Sequence, residues 1–155
     1  MGGSESLQSD HEFMSRALRF ARESASRSEV PVGAVLVQNG NVIGGAGNSP
    51  IFSSDPTAHA EINTIRLAAS AVRNYRLVGT TLYTTLEPCV MCAGAIIHAR
   101  ISRLVFGAYD PKSGACGSVV DLFSEHNLNH HTTVMGGVLQ TECSEVLQTF
   151  FKSRR

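Results

Sequence analysis

The stretch "VGAVLVQNGNVIGG", residues 32–45, limits the fold more than any other part of the chain. Two apolar runs flank Asn39-Gly40, a pair suited to the two positive-φ positions of a tight hairpin, so an antiparallel strand pair is expected here. Helix and strand patterns alternate after it. "TAHAEINTIRLAASAV" (57–72) has helical period, with Ile62, Ile65, Ala69 and Val72 on one side. "TLYTTLE" (81–87) is a β-branched and aromatic strand, "CVMCAGAIIHARI" (89–101) returns to helix, and "RLVFGA" (103–108) to strand. "TVMGGVL" (133–139) is a candidate fifth strand. Helices bracket the set. "SDHEFMSRALRFARESA" (9–25) opens with Ser9 and Glu12 at capping-box spacing and repeats apolar residues at Met14, Ala17, Leu18, Ala21 and Ala25. "TECSEVLQTFFKSRR" (141–155) closes the chain, with Thr141 as a cap. The order predicts an α/β fold: three layers, α/β/α, around a mixed central sheet of about five strands. Residues 1–8 read as a disordered N-terminus and 9–155 as a single domain.

A chain of 155 residues can bury about 70% of its unfolded surface. With 43% hydrophobic and 17% charged residues it is globular, not disordered. No apolar run approaches the ~20 residues of a membrane span, and no basic region precedes an apolar core as in a secretory signal. A cytoplasmic, reduced setting is expected, in which four cysteines do not build a disulfide scaffold. Net charge is zero and gives no support for a nucleic-acid partner. The closing "FFKSRR" nevertheless places three cations beside two aromatics. Those residues suit a phosphate backbone with stacked bases, or a solvated helix end whose cations complement the dipole.

Cys89 and Cys92 pose the sharper question. They stand three apart behind Pro88, in the first turn of a helix that follows a strand. Helix N-termini favour thiolates. A redox pair, half of a metal site, and two small core residues all fit that placement. Val90-Met91 offers nothing polar to tune a redox pair, and the absence of a second CxxC disfavours a four-cysteine zinc site. "TAHAEI" puts His59 and Glu61 at the start of another helix. In a first turn, both side chains can reach a point beyond the helix end. A histidine there, facing two cysteines at another helix mouth, makes an open zinc site with water in the fourth position. Glu61 is then left unligated beside that water, where a general acid/base belongs.

His59-Ala60-Glu61 with Pro88-Cys89-Val90-Met91-Cys92 matches the H-x-E…P-C-x-x-C signature of zinc nucleobase deaminases. The sequence resembles the zinc-dependent cytidine/deoxycytidylate deaminase superfamily and, within it, the bacterial tRNA-specific adenosine deaminases. The likeness runs from Phe13 to Arg155 through "EVPVGAVLV", "DPTAHAEI", "NYRL", "TLYTTLEPCVMCAGA", "RLVFGA", "DPKSGACGS", Asn129-His130 and "FFKSRR". It implies a cytidine-deaminase-like fold and one zinc per chain held by His59, Cys89 and Cys92. It also implies hydrolytic deamination of adenosine to inosine at the wobble position of a tRNA-Arg anticodon loop, with activated water attacking C6 and Glu61 as proton shuttle. Backbone groups near Ala60 and Glu87 would orient water and base, Asn48 would contact the flipped nucleotide, and Val30 would pack on it. Asp110 and Lys112 match a loop touching the flanking nucleotides, and Phe151 with Arg154 matches the terminal helix at the pocket rim. The family is homodimeric and has no membrane partner. Tyr109 and Lys152-Ser153 depart from the pattern at the flanking contacts. Two other classes stay open on the residues: a small-molecule zinc deaminase with a closed pocket, and a non-enzymatic zinc domain in which Cys116 or Cys143 supplies a fourth ligand.

Overall fold

The structure, a computed structural model, describes residues 3–154. Eight principal elements follow in chain order: α1 (Gly3–Ser26), β1 (Gly33–Gln38), β2 (Asn41–Gly47), α2 (Pro50–Ser53), α3 (Ala60–Val72), β3 (Thr80–Leu86), α4 (Val90–His98) and β4 (Arg103–Ala108). After a 3-10 turn at Leu122–Ser124 come β5 (Thr133–Met135) and α5 (Gln140–Lys152). The five strands form one mixed sheet in the order β2-β1-β3-β4-β5. β1 pairs antiparallel with β2 and β3, whereas β3–β4 and β4–β5 are parallel.

The hairpin turn is as expected, with Asn39 at φ 51° and Gly40 at φ 78°. Strand alternation then divides the core. Val35, Val37, Tyr83 and Val105 face α1 and α5, while Ala34, Leu36, Leu82 and Leu104 face α3 and α4. The result is the three-layer arrangement. Gly33 lets α1 lie close on β1, because a Cβ there would overlap the Ala17 carbonyl oxygen.

Several boundaries differ from the sequence expectation. α1 begins at Gly3, so Ser9 and Glu12 lie inside the helix, where Glu12 pairs with Arg16 instead of capping. Residues 1–2 of the expected disordered terminus lie outside the described residues. Asp10 explains part of the change: it is buried, accepts the Tyr83 hydroxyl at 2.6 Å and takes both Arg103 nitrogens at 2.7 and 2.8 Å. Those bonds pin α1 to β3 and β4. α3 turns inward on Glu61, Thr64 and Ala68, with Ile65 and Ala69 partly buried against the same core, whereas Val72 is exposed. Its small face packs close on β2, where a Cβ at Gly44 would lie 3.0 Å from that of Ala68. β5 stops at Met135 because Gly136-Gly137 turns the chain back, with Gly137 at φ 87°. The helix then starts at Gln140 with Leu139, at φ 52°, as its N-cap, so Thr141 is no cap.

Candidate active site and metal centre

Two helix N-termini meet at one end of the sheet. β3 runs out through Leu86 into Glu87 and Pro88, and Cys89 is the N-cap of α4. The 48–59 segment leaves β2 and arrives at His59, the N-cap of α3. The His59 side chain makes no capping bond to α3, which leaves it free to face the two cysteines. His59 Nδ1 lies 3.7 Å from Cys89 Sγ and 3.5 Å from Cys92 Sγ, and the three ligand atoms all fall within 4.8 Å of one another. An imidazole and two sulfurs at such separations suit tetrahedral zinc with one position open.

The electrostatics agree. Hydrogen bonding from Cys92 and His59 pulls the Cys89 thiol down to about 4, while Cys89 itself and burial push Cys92 up. A bound cation would favour both sulfurs as thiolates. The Cys89 bond raises His59 above its ordinary value. Glu61 is buried at 4% exposure, and desolvation, helped by the Cys89 charge, raises it to about 7. Such a carboxyl can both take and release a proton near neutrality.

The ligands open into a cavity of about 290 Å³ lined by Val30, Val32, Asn48, His59, Glu61, Leu86, Cys89, Asp110 and Ser113, among others. A larger cleft of about 520 Å³ separates α1 from α5, but among the described residues no cluster of metal-ligating side chains lies in it. Chemistry and not size locates the site. Asn48 Oδ1 accepts the Ala60 N–H at 2.7 Å, so Asn48 caps α3 and is itself oriented. Asp110 uses Oδ1 to accept the N–H groups of Lys112 and Ser113. Glu87 lines the cavity, yet its carboxylate is buried and accepts from Asp110, Cys116 and Ser118 N–H and from the Ser118 hydroxyl. Burial alone would raise Glu87, but these donors outweigh it and hold it below the usual carboxylate range.

Lys112, Phe151 and Arg154 do not line this cavity. Phe151 is half exposed and borders a separate groove on α5, and Arg154 stacks on Phe150 at 4.0 Å from the ring centroid. Cys116 and Cys143 stand outside the ligand cluster. Cys143 is buried against α1 and the sheet. Sequence reasoning missed Val32, Pro50, Leu86 and Ser113 in the wall, and Glu29, whose buried carboxylate accepts the Ile51 and Phe52 N–H groups. Only the pattern "EVPVGAVLV" hinted at Glu29.

Comparison with known proteins converges on the same chemistry. Residues 7–108 match the family described as cytidine and deoxycytidylate deaminase zinc-binding region. Over 147 residues the chain is 53% identical to a tRNA-specific adenosine deaminase of Haemophilus influenzae, covering 94% of this chain and 85% of that one. A solved structure from work on A-to-I editing by tRNA:A34 deaminases at the wobble position of transfer RNA is 50% identical. It covers 88% of this chain and 99% of its own, with a TM-score of 0.85. Guanine deaminase from Bacillus subtilis is more distant at 37% identity and TM-score 0.61, covering 70% of this chain and 66% of that chain. The His59, Cys89 and Cys92 cluster fits one zinc per chain, and this chain belongs to the cytidine and deoxycytidylate deaminase family of zinc-dependent hydrolytic deaminases.

Proposed function

We propose that this chain deaminates adenosine to inosine at the wobble position of a tRNA anticodon loop, that of tRNA-Arg. The observation that carries the reading is the buried Glu61 carboxyl beside the His59, Cys89 and Cys92 cluster, in a cavity that His59, Cys89 and Glu61 help to line. The identity to tRNA-specific adenosine deaminases supports the choice of substrate.

His59 Nδ1 and the two sulfurs would hold zinc, which when bound supplies the Lewis acidity that brings the pKa of water toward ~7. Glu61 then does the proton work. It accepts a proton from the attacking water and delivers it to purine N1 as the C6–O bond forms, then takes the remaining proton from the C6 hydroxyl and delivers it to the amino group. The C6–N bond breaks, so adenosine and water become inosine and ammonia. Val30, Val32 and Leu86 exclude solvent from the base, and Asn48, fixed by the Ala60 N–H, addresses the nucleotide. An anticodon loop presents an unstacked base at little cost, which suits a wall built from one surface loop. The 110–118 loop and the α5 end, with Asp110, Lys112, Phe151 and Arg154, would meet the flanking nucleotides.

The chain is also proposed to act as a homodimer. Ile51 and Phe52, 74% and 83% exposed next to the cavity residue Pro50, support that state, because apolar side chains so exposed favour a covering surface. The deciding experiment incubates purified protein with tRNA-Arg anticodon stem-loops, free adenosine, free cytidine and guanine. Inosine in the stem-loop alone is the expected product. Turnover of a free base or nucleoside with no RNA product would favour the small-molecule reading instead.

A further inference from the structure

The β4-to-β5 connection follows Ala108, and its first turns, from Asp110 to Ser118, wrap around one carboxylate. Glu87 Oε1 accepts the Asp110 N–H at 2.9 Å and the Ser118 hydroxyl. Oε2 accepts the N–H groups of Cys116 at 2.9 Å and Ser118 at 3.2 Å. All four donors come from the loop, and Glu87 is only 2% exposed. Among the described residues no cation pairs with it. A buried carboxylate is tolerated only when donors replace its water, so loop and carboxylate need each other. Two backbone bonds double the tie: Glu87 N–H to the Ala108 carbonyl and Ala115 N–H to the Pro88 carbonyl, both 2.8 Å. Gly114 passes so close that a Cβ would collide with the carboxylate.

Glu87 is also the residue two before Cys89, and the cavity lining includes Leu86, Glu87 and Cys89 together with Asp110 and Ser113. One side chain therefore ties the segment that carries Cys89 to the loop that carries Asp110 and Ser113. We infer that Glu87 is a positioning residue for substrate: its carboxylate holds the 110–118 loop at the height where Asp110 and Ser113 close the cavity around an RNA loop, without taking part in the chemistry. The inference rests on the tRNA reading for its substrate, but its structural half does not.

Glu87→Gln is a severe change here despite its equal size. An amide NH2 placed at Oε2 would face two N–H donors, and at Oε1 it would turn away the Asp110 N–H. Two measurements on zinc-loaded full-length protein test the role. Amide exchange at Asp110, Cys116 and Ser118 should accelerate at least tenfold in Glu87→Gln, with β1 and β3 amides unchanged. KM for the anticodon stem-loop should rise by roughly tenfold while kcat stays within about threefold and zinc stays at about one per chain. Ser118→Ala, which removes one donor, should shift KM the same way, and Ser118→Thr should restore it. A fall in kcat at unchanged KM, or loop exchange and KM both as in wild type, would overturn the assignment. If Glu87→Gln loses zinc or fails to fold, the Ser118 pair decides: equal KM for Ala and Thr overturns it. Wild-type protein that makes no inosine would sink the tRNA reading and this role with it, whereas the exchange data would still report whether the carboxylate grips the loop.

Discussion

Cys89 and Cys143 illustrate how position decides what a thiol does. Cys89 sits at a helix N-terminus with two polar neighbours and is held near 4; Cys143 is buried among apolar side chains, which push it up to about 12. Metal analysis of purified protein should therefore find about one zinc per chain, absent from Cys89→Ala and Cys92→Ala and kept in Cys143→Ala. Full zinc in the Cys92 variant would mean the centre lies elsewhere. Glu61 tests the other half of the site. Glu61→Ala should keep its zinc and its affinity for the stem-loop, yet turn over at least ~10²-fold more slowly. Loss of zinc from that variant would make Glu61 a ligand. Both residues were marked by type and spacing, HxE and CxxC, because metal chemistry tolerates few residue types.

At the scale of elements, the bond from α1 to the sheet carries a pH dependence. Burial alone would raise Asp10, but hydrogen bonds from Arg103 and Tyr83 outweigh it and leave Asp10 below its ordinary value. A depressed carboxylate stabilises the fold fully above its unfolded pKa of about 3.9, and that contribution is lost as pH falls through the folded value. Asp10→Asn should therefore cost about 2–3 kcal/mol near neutrality, somewhat below a fully buried pair because Arg103 remains 30% exposed. The gap between wild type and variant in urea midpoint should hold from pH 6 down to the unfolded value of about 3.9 and shrink below it, as pH falls through the lowered folded value of Asp10. The comparison cancels the metal site, which titrates alike in both proteins. A gap independent of pH would remove the charge from the account. No local pattern marks this ion pair, since its partners stand 93 residues apart.

For the whole molecule the partner is the question, because zero net charge allows no broad electrostatic grip. RNA affinity must then draw on a few cations. Lys112 and Arg154 are exposed, and Arg155 lies outside the described residues. Replacing these three by neutral residues should weaken stem-loop binding and flatten its salt dependence, by roughly 0.7 in log–log slope for each phosphate no longer neutralised. Zinc content and thermal unfolding should not move. Equal slopes for the two proteins would clear these side chains of any phosphate-binding role. No described helix is long and apolar enough to cross a membrane.

What the sequence by itself determined is whatever rests on neighbours along the chain. The Asn39-Gly40 turn needs only two residues able to hold positive φ, and the helix and strand periods need only a run of side chains. HxE and PCxxC declare their chemistry through residue type at short spacing. Tertiary structure alone decided which acids are buried. Asp10, Glu29 and Glu87 look like any solvated carboxylate in the sequence, and each is inside because donors from distant segments replace its water. It also decided which residue of α3 lies deepest, since Gly44 on β2 admits the small Ala68 and leaves Ile65 and Ala69 only partly buried beside it. Burial is a property of three-dimensional neighbours, and a local pattern cannot name them.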